Sequence, residues 1–273
     1  MAAPQVIGGL GDIAGRYDVV LSDVWGVIHN GRDSFPAACE ALTRFGQDRG
    51  PVVLISNAPR RSQDVLPQLD GLGVPRSAWS HFITSGDATR ELLRDLSPGP
   101  AWTLGPERDL TLYADLGLDM TDSPEGAAFI SCTGPYDDER EKPEDYRERF
   151  VAAASRDLEM ICANPDIVVQ RGDKLIYCAG ALAELYEAIG GRVRMAGKPH
   201  APIYELCLAR AERILGRPVD RSRVLCIGDA VATDVRGANQ QGLDILFIAK
   251  GIHGADLVRD GRADPHALQH MLD

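Results

Sequence analysis

The chain of 273 residues is 44% hydrophobic and 25% charged, and its formal net charge is -11. That length accommodates two domains, and the composition is that of an ordinary soluble globular protein. The negative charge argues against nucleic-acid or anionic-membrane binding, which requires a basic face, and no apolar run approaches the roughly 20 residues of a membrane helix. The six cysteines are scattered without a C-x-x-C pair, so we expect buried thiols and a cytoplasmic location.

The first part of the chain alternates short apolar runs with segments of helical spacing. This pattern favours right-handed βαβ units around a parallel sheet. We predict strands over residues 19–23, 52–56 and 82–84, and helices over residues 37–45, 65–72 and 86–93. The run Ser97-Pro98-Gly99-Pro100 then interrupts the alternation.

A second alternating unit follows this break and is expected to close at Gly190-Gly191. Its predicted strands are 101–104, 127–131, 158–162 and 174–178, and its predicted helices are 107–116, 143–155 and 181–189. The third part resumes with a long amphipathic helix over 201–215, followed by strands over 224–227 and 245–248. A short, charged helical tail is expected after Gly251.

Polar fragments that suit one chemical task lie outside the middle unit. They adjoin predicted strands or the long helix, and they are Asp23, Ser56-Asn57, Gly197-Lys198-Pro199 and Gly228-Asp229. Because ligands of open α/β sheets bind at the carboxyl ends of strands, one sheet edge can collect these fragments. We therefore predict an α/β fold with a parallel sheet. Its core domain, residues 1–85 and 193–273, is interrupted by an inserted α/β domain, residues 86–192.

These fragments supply the groups that magnesium-assisted phosphoryl transfer requires. Asp23 closes its strand, so its carboxylate can attack a phosphoryl group while the Ser56 hydroxyl and the Asn57 amide hold two of its oxygens. The Lys198 ammonium group would neutralise the nucleophile and the transferring group as a point charge. Arg60 is a further candidate for contact with an anionic substrate. Taken singly, most of these residues also fit a turn, a helix cap or a solvated surface, and their order along the chain favours the chemical interpretation.

A divalent cation fits the acidic pair. Asp23 and Asp229 can share a hard cation through oxygen ligands. Mg²⁺ suits them because it keeps several waters and bridges to substrate phosphate. Asp234 is better placed to anchor Lys198 or a metal-bound water than to react covalently. The sequence therefore predicts Mg²⁺ as the cofactor.

The set of fragments resembles the haloacid dehalogenase superfamily, and their spacing resembles its class IIA members, whose cap is inserted between the second and third motifs. The likeness runs from Tyr17 to about His253 and includes further matches at Thr84-Ser85-Gly86, Asn164-Pro165-Asp166 and Ala179-Gly180-Ala181. The resemblance implies a Rossmann-like core with an α/β cap. It also implies a Mg²⁺-dependent phosphatase of a small phosphorylated metabolite.

The resemblance further implies a role for each matching residue. Asp23 would be the nucleophile that becomes an aspartyl phosphate, and the phosphoryl group would be bound by Ser56, Asn57 and Lys198. The metal would be held by Asp23, the backbone carbonyl of Trp25 and Asp229, with Asp234 in support. The loop Asn164-Pro165-Asp166 of the cap would read the leaving group. Many capped relatives pair through their caps, so a homodimer through the cap is a further expectation.

Trp25 departs from the family's pattern, which has a second aspartate two residues after the nucleophile to protonate the leaving oxygen and then activate water. Indole is only a hydrogen-bond donor and cannot carry a proton between groups near neutral pH. General acid–base catalysis contributes roughly 10² to 10⁴ in rate, so we expect slow hydrolysis of ordinary alkyl phosphates unless another group supplies the proton. His29, four residues further on, is the nearest candidate for that role.

Three other classes of protein stay open from the sequence. The first is a phosphotransferase that passes the group to an alcohol, and the second is a phosphate- and metal-binding protein with low turnover. The third is a carbon–halogen hydrolase, which is least favoured because Lys198 and the acidic pair suit metal and phosphate better.

Overall fold

The computed structural model describes residues 5–171, 174–259 and 262–272. Within these residues the strands are β1 (Val19–Ser22), β2 (Val52–Ser56), β3 (His81–Thr84), β4 (Ala101–Leu104), β5 (Met120–Thr121), β6 (Phe129–Cys132), β7 (Glu159–Cys162), β8 (Val168–Arg171), β9 (Lys174–Tyr177), β10 (Arg192–Met195), β11 (Val224–Gly228), β12 (Asp244–Phe247), β13 (Val258–Arg259) and β14 (Arg262–Ala263). The α-helices there are α1 (Pro36–Asp48), α2 (Ser62–Gly71), α3 (Ser85–Leu96), α4 (Arg147–Ser155), α5 (Ala179–Ala188), α6 (Ala201–Leu215), α7 (Arg236–Gln241), α8 (Gly254–Leu257) and α9 (Pro265–Leu272).

The chain divides into two compact units. The first comprises Met1–Ser56, Leu66–Ile83 and Tyr204–Asp273, and the second comprises Asn57–Val65 and Thr84–Ile203. The domain limits predicted from the sequence, 1–85, 86–192 and 193–273, differ from these limits and stay a prediction.

The first unit contains a five-stranded sheet in the order β12-β11-β1-β2-β3. β1 is parallel to both β11 and β2, and β11 is parallel to β12. Every residue of β1, β2 and β11 is buried, which is why these strands are nearly continuous apolar runs in the sequence. The carboxyl ends of the three central strands therefore lie side by side at one edge of the sheet.

The second unit contains another five-stranded sheet, in the order β10-β7-β6-β4-β5, and its neighbouring strands are parallel. Its core is aromatic, with Trp102, Phe150 and Tyr186 fully buried among smaller apolar side chains. A separate antiparallel hairpin pairs β8 with β9. Two parallel sheets in one chain confirm the predicted α/β fold class.

The sheet of the second unit continues beyond Gly190-Gly191, where the sequence pattern places the end of the middle unit. β10 follows this glycine pair and pairs with β7 in the sheet of the second unit. Its arginines, Arg192 and Arg194, form ion pairs with Asp157 and Glu159 on the exposed edge of that sheet. Charged residues alternate with apolar residues along this edge strand, so it has no continuous apolar run and the sequence pattern did not reveal it.

Two predicted helices also differ in type. The segment predicted as a helix over 107–116 is a 3₁₀ helix at Glu107–Tyr113, and the one predicted over 143–155 begins as a 3₁₀ turn at Pro143–Tyr146 before α4. The two-residue β5 and the strand β8 were not predicted. All six cysteines are buried free thiols, as expected. Across residues 5–171, 174–259 and 262–272, no helix has both the length and the apolar composition needed to cross a membrane.

Candidate active site

Three carboxylates converge at the carboxyl edge of the sheet in the first unit. Asp23 follows β1 and Asp229 follows β11, and these strands are parallel neighbours with Ser22 opposite Ile227. Asp234 lies in the π-helical turn that comes next. One carboxylate oxygen of each residue lies within 4.8 Å of the others, and the residues are only 8%, 6% and 3% exposed. The parallel pairing of β1 and β11 thus creates the cluster that the sequence predicted.

Two glycines, Gly26 and Gly251, pack against the Asp229 carboxylate. Gly26 has a φ of 72°, and a Cβ there would lie 1.9 Å from Asp229 Oδ2, while one at Gly251 would lie 2.2 Å from the same oxygen. The Ile252 N–H donates a hydrogen bond of 2.7 Å to Asp229 Oδ2. The two glycines and this bond fix the carboxylate. Gly251 was not predicted as a site residue, because no motif links it to an aspartate so far away in the chain.

Asp234 is also held by its own loop. The Ala230 N–H donates a hydrogen bond of 3.1 Å to Asp234 Oδ2. A Cβ at Gly228 would lie 2.2 Å from Asp234 Cγ, so only glycine fits at the end of β11. The Gly-Asp pair that ends this strand therefore serves two purposes: its aspartate joins the cluster, and its glycine admits the next acid.

The acidic cluster fits a divalent cation. Two unit charges 4.8 Å apart repel by roughly 3 kcal/mol at an effective dielectric constant of 20. Three such groups in a buried position are stabilised by a cation with a preference for hard oxygen ligands, and Mg²⁺ has that preference. The donor set is therefore suitable for the predicted cofactor.

Ser56 lies at the same sheet edge as the acidic cluster. It is the last residue of β2, which is parallel to β1 on the side opposite β11. Its side chain is buried, with 6% of the residue exposed. The first unit thus brings together four of the predicted site residues, namely Asp23, Ser56, Asp229 and Asp234.

Trp25 lies on the turn after the nucleophile candidate and is 43% exposed. Its ring meets the His29 ring edge to face, with centroids 4.9 Å apart. It also covers Gly31, where a Cβ would lie 2.4 Å from Trp25 Cη2. The indole is therefore held by its own loop, and nothing in this contact supplies the proton transfer that an aspartate would provide.

His29 is a poor proton donor in this arrangement. It is 1% exposed, and its Nδ1 accepts a hydrogen bond of 3.0 Å from the Gly31 N–H, which leaves the ring proton on Nε2. Burial lowers the pKa of His29 to about 4. A neutral imidazole at physiological pH argues against the predicted acid role of His29.

Asn57 and Lys198 are joined by a pair of hydrogen bonds in the second unit. The Lys198 N–H donates to Asn57 Oδ1 over 2.8 Å, and Asn57 Nδ2 donates to the Lys198 carbonyl over 3.1 Å. Asn57 Nδ2 also donates to Asp166 Oδ1 over 2.9 Å. A Cβ at Gly197 would lie 2.6 Å from Asn57 Oδ1. The Asn57 amide is thus occupied in positioning Lys198, whereas the sequence predicts that it holds a phosphoryl oxygen.

The loop after β7 supplies Asp166 to this arrangement. Asn164 Oδ1 accepts a hydrogen bond of 3.0 Å from the Asp166 N–H, so this side chain shapes its own loop. A Cβ at Gly180 would lie 2.3 Å from the Pro165 carbonyl oxygen, which explains the glycine at the start of α5. Asn164 and Asp166 therefore have structural partners, and their predicted contact with a leaving group stays a prediction.

Arg60 is placed by its backbone. Its carbonyl accepts a hydrogen bond of 2.7 Å from Thr84 Oγ1, and a Cβ at Gly86 would lie 2.4 Å from the same oxygen. Burial raises the pKa of Asp109, and the guanidinium charges of Arg108 and Arg60 oppose that rise. The Arg60 guanidinium group is therefore close enough to influence Asp109. The predicted contact of Arg60 with substrate stays a prediction.

Known proteins resemble this chain over most of its length. A family model described as haloacid dehalogenase-like hydrolase matches residues 20–119, and a second, HAD-like hydrolase model matches residues 195–273. A crystal structure of a haloacid dehalogenase-like family hydrolase from Brucella suis 1330 is 47% identical, covers 96% of each chain and has a TM-score of 0.85.

Two further relatives have more specific descriptions. The 5'-nucleotidase YutF of Bacillus subtilis (strain 168) is 26% identical over 94% of this chain and 97% of its own. The crystal structure of a glycerol phosphate phosphatase from Mycobacterium tuberculosis in complex with magnesium is 24% identical, covers 94% of this chain and 78% of that one, and has a TM-score of 0.69. This last similarity shows the fold alone.

Proposed function

The chain belongs to the haloacid dehalogenase-like hydrolases, and from that membership we propose a Mg²⁺-dependent phosphatase of the class IIA type that hydrolyses a small phosphomonoester. The buried cluster of Asp23, Asp229 and Asp234 carries this proposal, because it provides a nucleophile and a cation site in one place. The activity named for one relative, a 5'-nucleotidase, supports nucleotides as the substrate class.

The proposed reaction has two steps on Asp23. A carboxylate oxygen attacks phosphorus, the ester P–O bond breaks, and the leaving alkoxide takes a proton from solvent water. Water then attacks the phosphorus of the aspartyl phosphate, which restores the carboxylate and releases inorganic phosphate. Ser56 and Lys198 keep the role of binding phosphoryl oxygens, and Asn57 positions the backbone of Lys198.

Metal binding is part of the same proposal. Asp23, Asp229 and the backbone carbonyl of Trp25 would hold Mg²⁺, with Asp234 in support. When bound, the ion would neutralise negative charge on the phosphoryl group. Backbone N–H groups anchor Asp229 and Asp234, so the chain itself positions these two carboxylates.

A phosphotransferase is a second candidate, and Trp25 is the observation that favours it. Its indole stands where the family has the aspartate that activates water in the second step. The buried, neutral His29 does not replace that aspartate. Product analysis with glycerol or ethanol as added acceptor distinguishes the two functions. A phosphatase yields only inorganic phosphate, whereas a phosphotransferase yields phosphorylated acceptor.

Release of p-nitrophenol from p-nitrophenyl phosphate tests the main proposal. We expect activity with Mg²⁺ that is lost on chelation with EDTA and lost in Asp23→Asn. Asp48→Asn, an exposed aspartate at the end of α1, is the matched control and should keep wild-type activity. Full activity of Asp23→Asn, or activity that survives EDTA unchanged, would contradict the proposal.

Pairing through residues 86–192 stays a proposal too. The hairpin β8–β9 supports it, because it exposes apolar side chains such as Leu175 at 71% and Val168 at 41%. Light scattering should give a mass of a dimer of the 29.5 kDa chain, and Leu175→Glu should shift it toward the monomer. A wild-type protein that is monomeric at all concentrations would contradict it.

A further inference from the structure

A cavity of 680 Å³ opens at the carboxyl edge of the sheet in the second unit. It is lined by the loop after β4, the following 3₁₀ helix, β5 and the loop after β6, and it includes Gly105, Asp109, Met120 and Thr133. β4 and β6 are neighbours in the sheet, but the connections that follow them run in opposite directions. The chain goes from β4 to β5 at one edge of the sheet, and from β6 to β7 toward the other edge. Ligands of open α/β sheets bind where connections diverge in this way.

The size and the apolar part of the cavity suit a small organic molecule. Ligand pockets commonly measure roughly 300 to 1,000 Å³ and have mostly apolar walls with a few placed polar groups. Pro106, Leu110, Tyr113 and Met120 supply apolar surface here. Leu110 and Met120 are 46% and 55% exposed. The lining includes no member of the four fragments that carry the proposed phosphatase chemistry.

The charge of the lining selects against phosphate. Three acids, Glu107, Asp109 and Asp122, line the cavity, and its lining among the described residues contains no lysine, arginine or histidine. An anionic ligand would therefore be repelled, whereas a cation would be attracted. A phosphate ester has no complementary partner in this wall.

Asp109 is the buried group to which such a cation would bind. It is 3% exposed, it is hydrogen bonded to Thr133, and Arg108 Nε lies 3.9 Å from its Oδ1. That arginine is also paired with Asp138. Burial raises the pKa of Asp109 despite these partners and despite the charge of Arg60, so its carboxylate is incompletely compensated. An ammonium group in the cavity would supply the missing compensation.

We propose that this cavity binds a small organic amine with an apolar or aromatic body and no phosphate, and that the ammonium group pairs with Asp109. The walls of the cavity come from the second unit alone, and none of them is a member of the proposed catalytic cluster. The inference does not depend on the phosphatase activity, because binding is measured without turnover.

Isothermal titration of the wild-type protein with phenethylamine, 2-phenylethanol and 3-phenylpropionate tests the proposal. These probes share a phenyl body and differ in charge. We expect phenethylamine to bind with a Kd of roughly 1 mM or tighter and 3-phenylpropionate at least about tenfold more weakly. Asp109→Asn should weaken the amine about tenfold or more, as the loss of a charge-assisted hydrogen bond does. Asp115→Asn, an exposed aspartate outside the lining, should leave its affinity unchanged.

Several results would overturn the proposal. They are equal affinity for the amine and the carboxylate, no detectable heat with the amine, and an unchanged affinity in Asp109→Asn. If Asp109→Asn lacks the wild-type far-UV circular dichroism spectrum, Glu107→Gln takes its place, with an expected loss of about threefold for the amine. The comparison of charged and neutral probes on wild-type protein decides the matter even without a variant.

Discussion

The variant Gly26→Ala tests whether Gly26 positions the Asp229 carboxylate, provided that the effect of backbone strain is measured in a control variant. Gly26 has a φ of 72°, a conformation that costs a residue with a Cβ roughly 1 to 2 kcal/mol. Its added methyl group would also lie 1.9 Å from Asp229 Oδ2, so the carboxylate has to move. The proposed metal site should therefore lose one correctly placed ligand in this variant.

Gly242→Ala is the matched control, because it imposes the same backbone strain without the contact. Gly242 has a φ of 67°, and a Cβ there meets nothing within 4 Å. Gly242→Ala should lose roughly 1 to 2 kcal/mol of stability, which lowers Tm by about 2 to 8 °C in a chain of this size, and Gly26→Ala should lose at least as much because of the added contact. Only Gly26→Ala should lose Mg²⁺ affinity, by about 10- to 100-fold, the range found when support for a metal ligand is removed.

Two measurements on the same preparations provide the comparison. Scanning fluorimetry without metal gives Tm, and titration of p-nitrophenyl phosphate hydrolysis with Mg²⁺ gives the apparent metal affinity. Equal Mg²⁺ dependence in Gly26→Ala and Gly242→Ala would refute the reasoning, because the steric effect on Asp229 would then be absent from the functional site.

Three further predictions concern other parts of the first and second units. Trp25→Asp should raise hydrolysis of alkyl phosphates by up to about 10² to 10⁴, whereas Trp25→Phe should not; no gain in initial rate would count against a missing acid as the defect. Asp18→Asn should cost about 1 kcal/mol at neutral pH, because hydrogen bonds from Arg223 and Arg217 lower the pKa of Asp18 and favour its ionised form in the folded state. This contribution is present above the unfolded pKa and is lost as the pH falls from about 4 toward the lower folded pKa. The free energies of urea unfolding of the variant and the wild type should therefore converge in acid. A difference that stays constant with pH would contradict the prediction. Asn57→Asp keeps the shape but loses both donated hydrogen bonds, so kcat/KM for p-nitrophenyl phosphate should fall about tenfold or more; an unchanged value would show that Asn57 does not position Lys198.

The positions of the acids were predictable from the sequence because strand ends leave a clear local signal. Apolar runs that end in Asp23, Ser56 and Asp229 indicate buried parallel strands, and their carboxyl ends share one edge. The glycine that ends β11 was also visible in the pattern. These features depend on local order along the chain, and parallel pairing converts that order into proximity.

Other features depend on contacts between distant segments and were not predictable. The amide of Asn57 looked free to bind phosphate, yet the Lys198 backbone and Asp166 occupy it. His29 looked like an accessible proton donor, yet its loop folds back and buries it. Strand β10 lacks an apolar run because its exposed arginines alternate with apolar residues and pair with acids at or just before the start of β7.

The most direct test of the central claim is a crystal structure of the protein with Mg²⁺ and fluoroberyllate, a mimic of a phosphoryl group. We expect beryllium bonded to a carboxylate oxygen of Asp23, with Mg²⁺ contacting Asp23 and Asp229. Fluoroberyllate bound away from Asp23, or a cation bound elsewhere while the three aspartates keep their positions unliganded, would contradict it.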